Sequence, residues 1–180
     1  MENEYQADYG FCVRNGVIVG AVYGLLSILM YVISEDLLAN SILGILILLS
    51  YAIVFGIIGV KYRNHVGGYL SFGQAYKAVF LMIFMTMLVG TVFNVILYQL
   101  IDPDLGMRLT EITIENSEQM MRSFGAPEDQ IQESIAGMRG TNSYSMKNQL
   151  LGLLYAGIIG NGLVTLILAA IAKKNREEEF

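Results

Sequence analysis

The chain has 180 residues, of which 54% are apolar and only 15% charged; it carries nineteen glycines and has a mean hydropathy of +0.53. An average soluble domain carries roughly 25% charge, so this composition excludes an ordinary water-soluble globule and a disordered chain alike. One cysteine, Cys12, and one histidine, His65, exclude a disulfide framework, a Cys-rich metal site and a histidine pair for zinc or catalysis. The net charge of −5 argues against nucleic acid as a partner, because phosphate binding needs a basic surface.

In chain order, residues 1–14 form a short terminal segment with Glu2, Glu4 and Asp8 against Arg14. A secretory signal would start positive and carry a shorter apolar stretch, so the first apolar run is read as a retained helix. Four runs free of Asp, Glu, Lys, Arg and His follow: Asn15 to Ile33, Ser41 to Val60, Ala78 to Ile101 and Leu150 to Ala172. Each is long enough for a hydrocarbon core of ~30 Å at about 1.5 Å per helical residue, and none alternates as a membrane β-strand would. The expected fold is therefore all-α and polytopic. Three transmembrane helices lie within 15–101, a fourth spans 150–172, and an extracytoplasmic helical insertion occupies 102–149.

Lys and Arg set the orientation. Arg14, Lys61, Arg63, Lys77, Lys173, Lys174 and Arg176 fall on one side; Arg108, Arg122, Arg139 and Lys147 are spread along the other. The short 61–77 loop is basic, so the amino terminus, this loop and the 173–180 tail are expected in the cytoplasm. Within the loop Gly67-Gly68 marks a turn, and Ser71 to Gln74 fits a capping box that starts the third helix before the membrane. His65 is read as an interfacial residue. Lys173, Lys174 and Arg176 read as the stop-transfer anchor, within reach of anionic lipid.

The 102–149 segment has eight acidic and four basic residues. Asp102-Pro103-Asp104 ends the third span. From Asp104 to Phe124 the pattern is helical: Arg108, Glu111, Glu115, Glu118 and Arg122 form a charged stripe. Leu105, Leu109, Ile112, Met120 and Phe124 make a broad apolar face suited to lying against something apolar. Gly125 ends this helix and Pro127 starts a second, with Ile131, Ile135 and Met138 on one face.

Two constellations inside the membrane stand out. Small residues repeat every four positions: Gly16, Gly20 and Gly24 in the first span, Ala52 and Gly56 in the second, Gly152, Ala156 and Gly160 in the fourth. Such stripes let helix backbones approach closely, either within the bundle or between protomers. Tyr23, Ser50, Thr91, Asn94, Asn161 and Thr165 gather near mid-membrane. An unpaired polar group in hydrocarbon is costly, so they are expected to face inward. There they would either bond one another or line a pocket for a small molecule or lipid headgroup; a proton relay lacks the embedded carboxylate or histidine it needs.

No catalytic motif is present: no His-Glu-x-x-His, Gly-x-Ser-x-Gly or phosphate-binding glycine loop. No catalytic, cofactor-binding or metal-binding residue, and no cofactor, is expected. The residues predict a structural or accessory subunit, with the bilayer and either a second copy or an envelope protein as partners. A transporter of small solutes or lipid, using the polar cluster, is the alternative.

The run Gly67 to Lys77, containing Ser71-Phe72-Gly73-Gln74-Ala75, precedes a span ending Ile101-Asp102-Pro103. A last span ending Ala169 to Lys174 completes the pattern. Together they resemble the domain of unknown function family 4199, four-span proteins of Bacteroidota, over nearly the whole chain. The resemblance implies a bacterial inner membrane. Because such members can be encoded near membrane glycosyltransferases, it also implies a role beside polyprenyl-linked glycosyl transfer. It assigns no functional residue.

Overall fold

The computed structural model describes residues 7–139 and 144–175, with Ala156 described in its backbone alone. Every regular element among them is helical; the one exception is an isolated antiparallel bridge between Leu70 and Lys174.

Helix α1 (Tyr9–Ile33) starts earlier than the uncharged run suggests, because the Asp8 carboxylate accepts the Phe11 N–H at 2.9 Å and caps it. A single turn, α2 (Asp36–Ala39), leads to α3 (Ser41–His65), whose N-cap Asn40 accepts from the N–H groups of Ile42 and Leu43. Gly67 and Gly68, at φ of +104° and +84°, then turn the chain through a backbone region that residues with a Cβ rarely enter. Helix α4 (Phe72–Val95) opens on the capping box, with both reciprocal bonds between Ser71 and Gln74 in place, and runs on through a π-helical turn at Ile96–Ile101.

Beyond this helix, α5 (Leu105–Ser123) and α6 (Glu128–Arg139) fold back on each other around Gly125, at φ +75°. The last span is α7 (Met146–Tyr155), a π-helical turn at Ala156–Gly160, and α8 (Asn161–Ala172). Four helical stretches are long and apolar enough to cross a membrane: Tyr9–Ile33, Ser41–His65, Phe72–Ile101 and Met146–Ala172. The protein is therefore an all-α polytopic membrane protein.

Helix α4 is the axis of the bundle. It packs against α1 most extensively, then against α8 and α3, while the α1 and α3 backbones stay apart and meet through side chains such as Tyr23 and Tyr51. The largest core lies toward the end that carries the basic loop. It joins Cys12, Phe55, Tyr62, Leu70, Ala78, Val79, Met82, Leu168 and Ala172. The loop is tied to the end of α8 by paired backbone bonds of 2.9 Å between Leu70 and Lys174, and Arg63 donates to the Ala172 carbonyl at 3.3 Å. At the opposite end, Leu97 and Tyr98 pack with Leu105 and Leu109, so the first turns of α5 lie on the end of the bundle. Ile114, Ile131 and Ile135 make a separate core between α5 and α6.

Candidate functional site: polar groups of the spans and the cleft at Asn94

The stripe on α1 is where two backbones meet. A Cβ at Gly20 would lie 2.8 Å from the Thr86 carbonyl oxygen and from the Val89 Cβ; one at Gly16 would strike the Met82 carbonyl and Met85, and one at Gly24 the Phe93 ring. The close approach also makes a hydrogen bond between helices, from the Thr86 hydroxyl to the Gly16 carbonyl at 2.8 Å. Thr86 is buried and carries the α1–α4 contact, yet it escaped the sequence reading because a lone threonine in an apolar run has no pattern.

The other stripes sit differently. On α3 the inward residues are Phe55, Gly59 and Tyr62, and a Cβ at Gly59 would lie 3.2 Å from that of Ala172. Ala52 and Gly56 instead line an open groove, and a Cβ at Gly56 would meet nothing within 4 Å. On the last span, Gly152 and Gly160 also face open space, while the Ala156 side chain lies outside the described residues. Gly152 lies on α7, ahead of the π-helical turn, and Gly160 is the last residue of that turn, whose wider i→i+5 bonding shifts the rotation of the residues that follow. It is Asn161, Thr165, Leu168 and Ala172 that then face inward.

The polar residues divide into separate groups. Tyr23 and Ser50 hydroxyls are 2.6 Å apart; since Ser50 donates to the Ile47 carbonyl, Tyr23 is the donor between them, and its ring stacks on Tyr51 at 4.0 Å. Asn161 is buried on the opposite side of α4, where its amide donates to the Phe80 carbonyl at 3.2 Å and its oxygen accepts from Thr165 at 2.8 Å. Thr91 bonds back to the Met87 carbonyl on its own helix. Asn94 lines a cleft of about 200 Å³ between α1, α3 and α4, together with Tyr23, Ser27, Gly44, Tyr51 and Gly90. The cleft exists because α1 and α3 part in this half of the bundle, and Leu37 and Leu38 of α2 roof it. Asn161 is not among its walls.

At the same end of the molecule, Arg108 joins three elements. Its guanidinium reaches Glu35 at 2.7 Å and Asp102 at 2.6 Å, with its Nε also donating to Glu35. Tyr31 donates to Asp102 at 3.0 Å, and Asp102 accepts from the Leu105 N–H at the start of α5. Hydrogen bonding to Arg108 holds the Asp102 carboxyl below its ordinary value, and the two carboxylates hold the guanidinium above its own. By sequence periodicity Arg108 belongs to the charged stripe of α5. Glu111 and Glu115 do point to solvent, but Arg108, at the start of that stripe, turns back to the bundle. Farther along, Arg122 bridges Glu118 and Glu128, closing the α5–α6 turn.

On the basic end, the His65 Nε2 lies 2.8 Å from the Asp8 carboxylate, and the Phe11 ring stacks on the imidazole at 4.9 Å. Among the described residues no group of three or more His, Cys, Asp or Glu is placed to hold a metal ion.

Four helices long and apolar enough to cross a membrane, with their charged residues near the helix ends, define a multi-pass integral membrane protein. The model of the family "protein of unknown function (DUF4199)" matches residues 14–174, and the chain belongs to that family. No curated protein and no solved structure matches.

Proposed function

We propose that this protein is a non-catalytic structural or accessory subunit of a bacterial envelope complex. In this reading it sits in the inner membrane, with both termini and the 61–77 loop in the cytoplasm and the α5–α6 hairpin in the periplasm. The observation that carries it is the separation of the polar groups. Tyr23–Ser50 and Asn161–Thr165 are each satisfied locally, on opposite sides of α4, whose face toward α1 is closed by backbone contact at the glycine stripe. A solute path would need these groups to share one cavity. Helix α3 supports the same reading, because Ile45, Leu49 and Ile53 present an apolar face to lipid or to another membrane helix.

The cleft at Asn94 favours a second reading, in which the outer half of the bundle binds a small solute or lipid for transfer. A role beside polyprenyl-linked glycosyl transfer is a particular form of the first.

Affinity purification in mild detergent, followed by mass spectrometry of proteins and lipids, separates them. The accessory reading predicts a membrane protein retained in fixed stoichiometry, and a glycosyltransferase if the particular form holds. Isolation of the chain without any protein, together with solute flux into liposomes that Asn94→Ala abolishes, would overturn it in favour of transport.

A further inference from the structure

At the basic end of the bundle α3 and α8 converge, touching at Gly59 and Ala172 and pinned by Arg63. Beside this contact the two helices leave an open groove of about 620 Å³. Ala52, Gly56, Val60 and Lys61 form one wall, Leu168 and Ile171 the other. Every lining residue is apolar except Lys61, which stands at the end of the groove where α3 leaves the apolar run.

The groove has the dimensions of one leaflet. From Ala52 to Lys61 is nine residues, about 14 Å at 1.5 Å per residue, and half of a hydrocarbon core is ~15 Å. A partner helix crossing the bilayer would require a furrow through both leaflets, whereas this one stops at the middle of α3. A linear acyl chain needs only the single leaflet. Gly56 leaves the floor of the groove free, since a Cβ there would meet nothing within 4 Å. The ammonium of Lys61 is exposed, enters no ion pair among the described residues, and sits at the depth of headgroup phosphates, reached by its flexible stem. Lys77 and Lys173 begin and end neighbouring helices at the same end, adding to the positive field there.

We infer that the α3–α8 groove binds an anionic phospholipid, with one acyl chain lying between Gly56 and Leu168 and the headgroup phosphate held by Lys61. Glycine at position 56 sets room for the chain, and lysine at 61 sets the preference for negative charge.

The test uses the full chain in nanodiscs of phosphatidylcholine, with and without a minor fraction of phosphatidylglycerol. Thermal unfolding and native mass spectrometry of retained lipid are the readouts. The wild type should melt several degrees higher with phosphatidylglycerol and should retain it in preference to phosphatidylcholine. Gly56→Leu should lose that rise and retain neither lipid, while melting like the wild type in phosphatidylcholine alone. Lys61→Gln, a change at an exposed position, should lose the preference but still retain a lipid. An equal rise in the wild type and Lys61→Gln would overturn the proposal. So would a protein helix that crosslinks to a photoreactive group at Gly56 and excludes the lipid.

Discussion

Glycine at position 20 has a steric purpose that can be stated atom by atom. The obstacle to any larger side chain is the Thr86 carbonyl oxygen, a backbone atom that cannot rotate away, with the Val89 Cβ at the same distance on the other side. Inserting side-chain atoms into a packed interface typically costs ~1–3 kcal/mol, and the upper part of that range applies where backbone must move. Gly20→Leu should therefore lower the melting temperature in detergent by several degrees, and unchanged unfolding would contradict the packing described. Gly16→Leu would add a second loss, displacing the carbonyl that accepts the Thr86 hydroxyl. The stripe was legible as a four-residue repeat; its partner was not, because a repeat states that something comes close and never what. The same repeat on α3 and on the last span shows the limit. Gly59 rather than Gly56 makes the contact with α8, and Gly152 and Gly160 face open space, in a span whose π-helical turn no local composition marks.

The α5–α6 hairpin is held to the bundle by its first turn. Leu105 and Leu109 are fully buried against Leu97 and Tyr98, and Arg108 between them in sequence clasps Glu35 and Asp102 from two other segments. The apolar face of this helix was evident from periodicity, and the bundle end it rests on became clear only with the tertiary fold. Arg108→Ala would leave the Glu35 and Asp102 carboxylates facing each other without their counterion. Hydrogen exchange at the amides of 105–123 should then rise, while exchange in the α1–α4 contact should stay as it is. If protection of α5 were unaltered, the clasp would have no part in docking the hairpin.

Acid should act on the same point. Hydrogen bonding to Arg108 depresses the folded-state Asp102 value below its ordinary 3.8. The stabilisation is therefore fully present above that ordinary value and disappears as pH falls through the lower, folded one. Between pH 5 and 8 the hairpin should show constant protection, with loosening only below about pH 4. Loosening between pH 6 and 7 would point to a different group.

For the molecule as a whole, the outline was written in hydropathy. Four uncharged runs became four spans, and a connector interrupted by Asp102-Pro103 and Gly125 became two amphipathic helices. What could not be read was the arrangement: that α4 lies at the centre, that α1 and α3 part to leave the cleft at Asn94, and that Asn94 and Asn161 belong to different surroundings. Apolar residues face every direction on such helices, so periodicity has no polar side by which to orient them. Charge does have a side. The basic residues gather at one end, around Lys61, Lys77 and Lys173, and the acidic hairpin lies at the other, which gives the molecule a polarity that the membrane would read. Alkaline phosphatase fused at Glu115 and at Gly68 measures that polarity directly. The fusion at Glu115 should be active and the one at Gly68 inactive; the reverse pattern, or activity at both, would contradict this polarity.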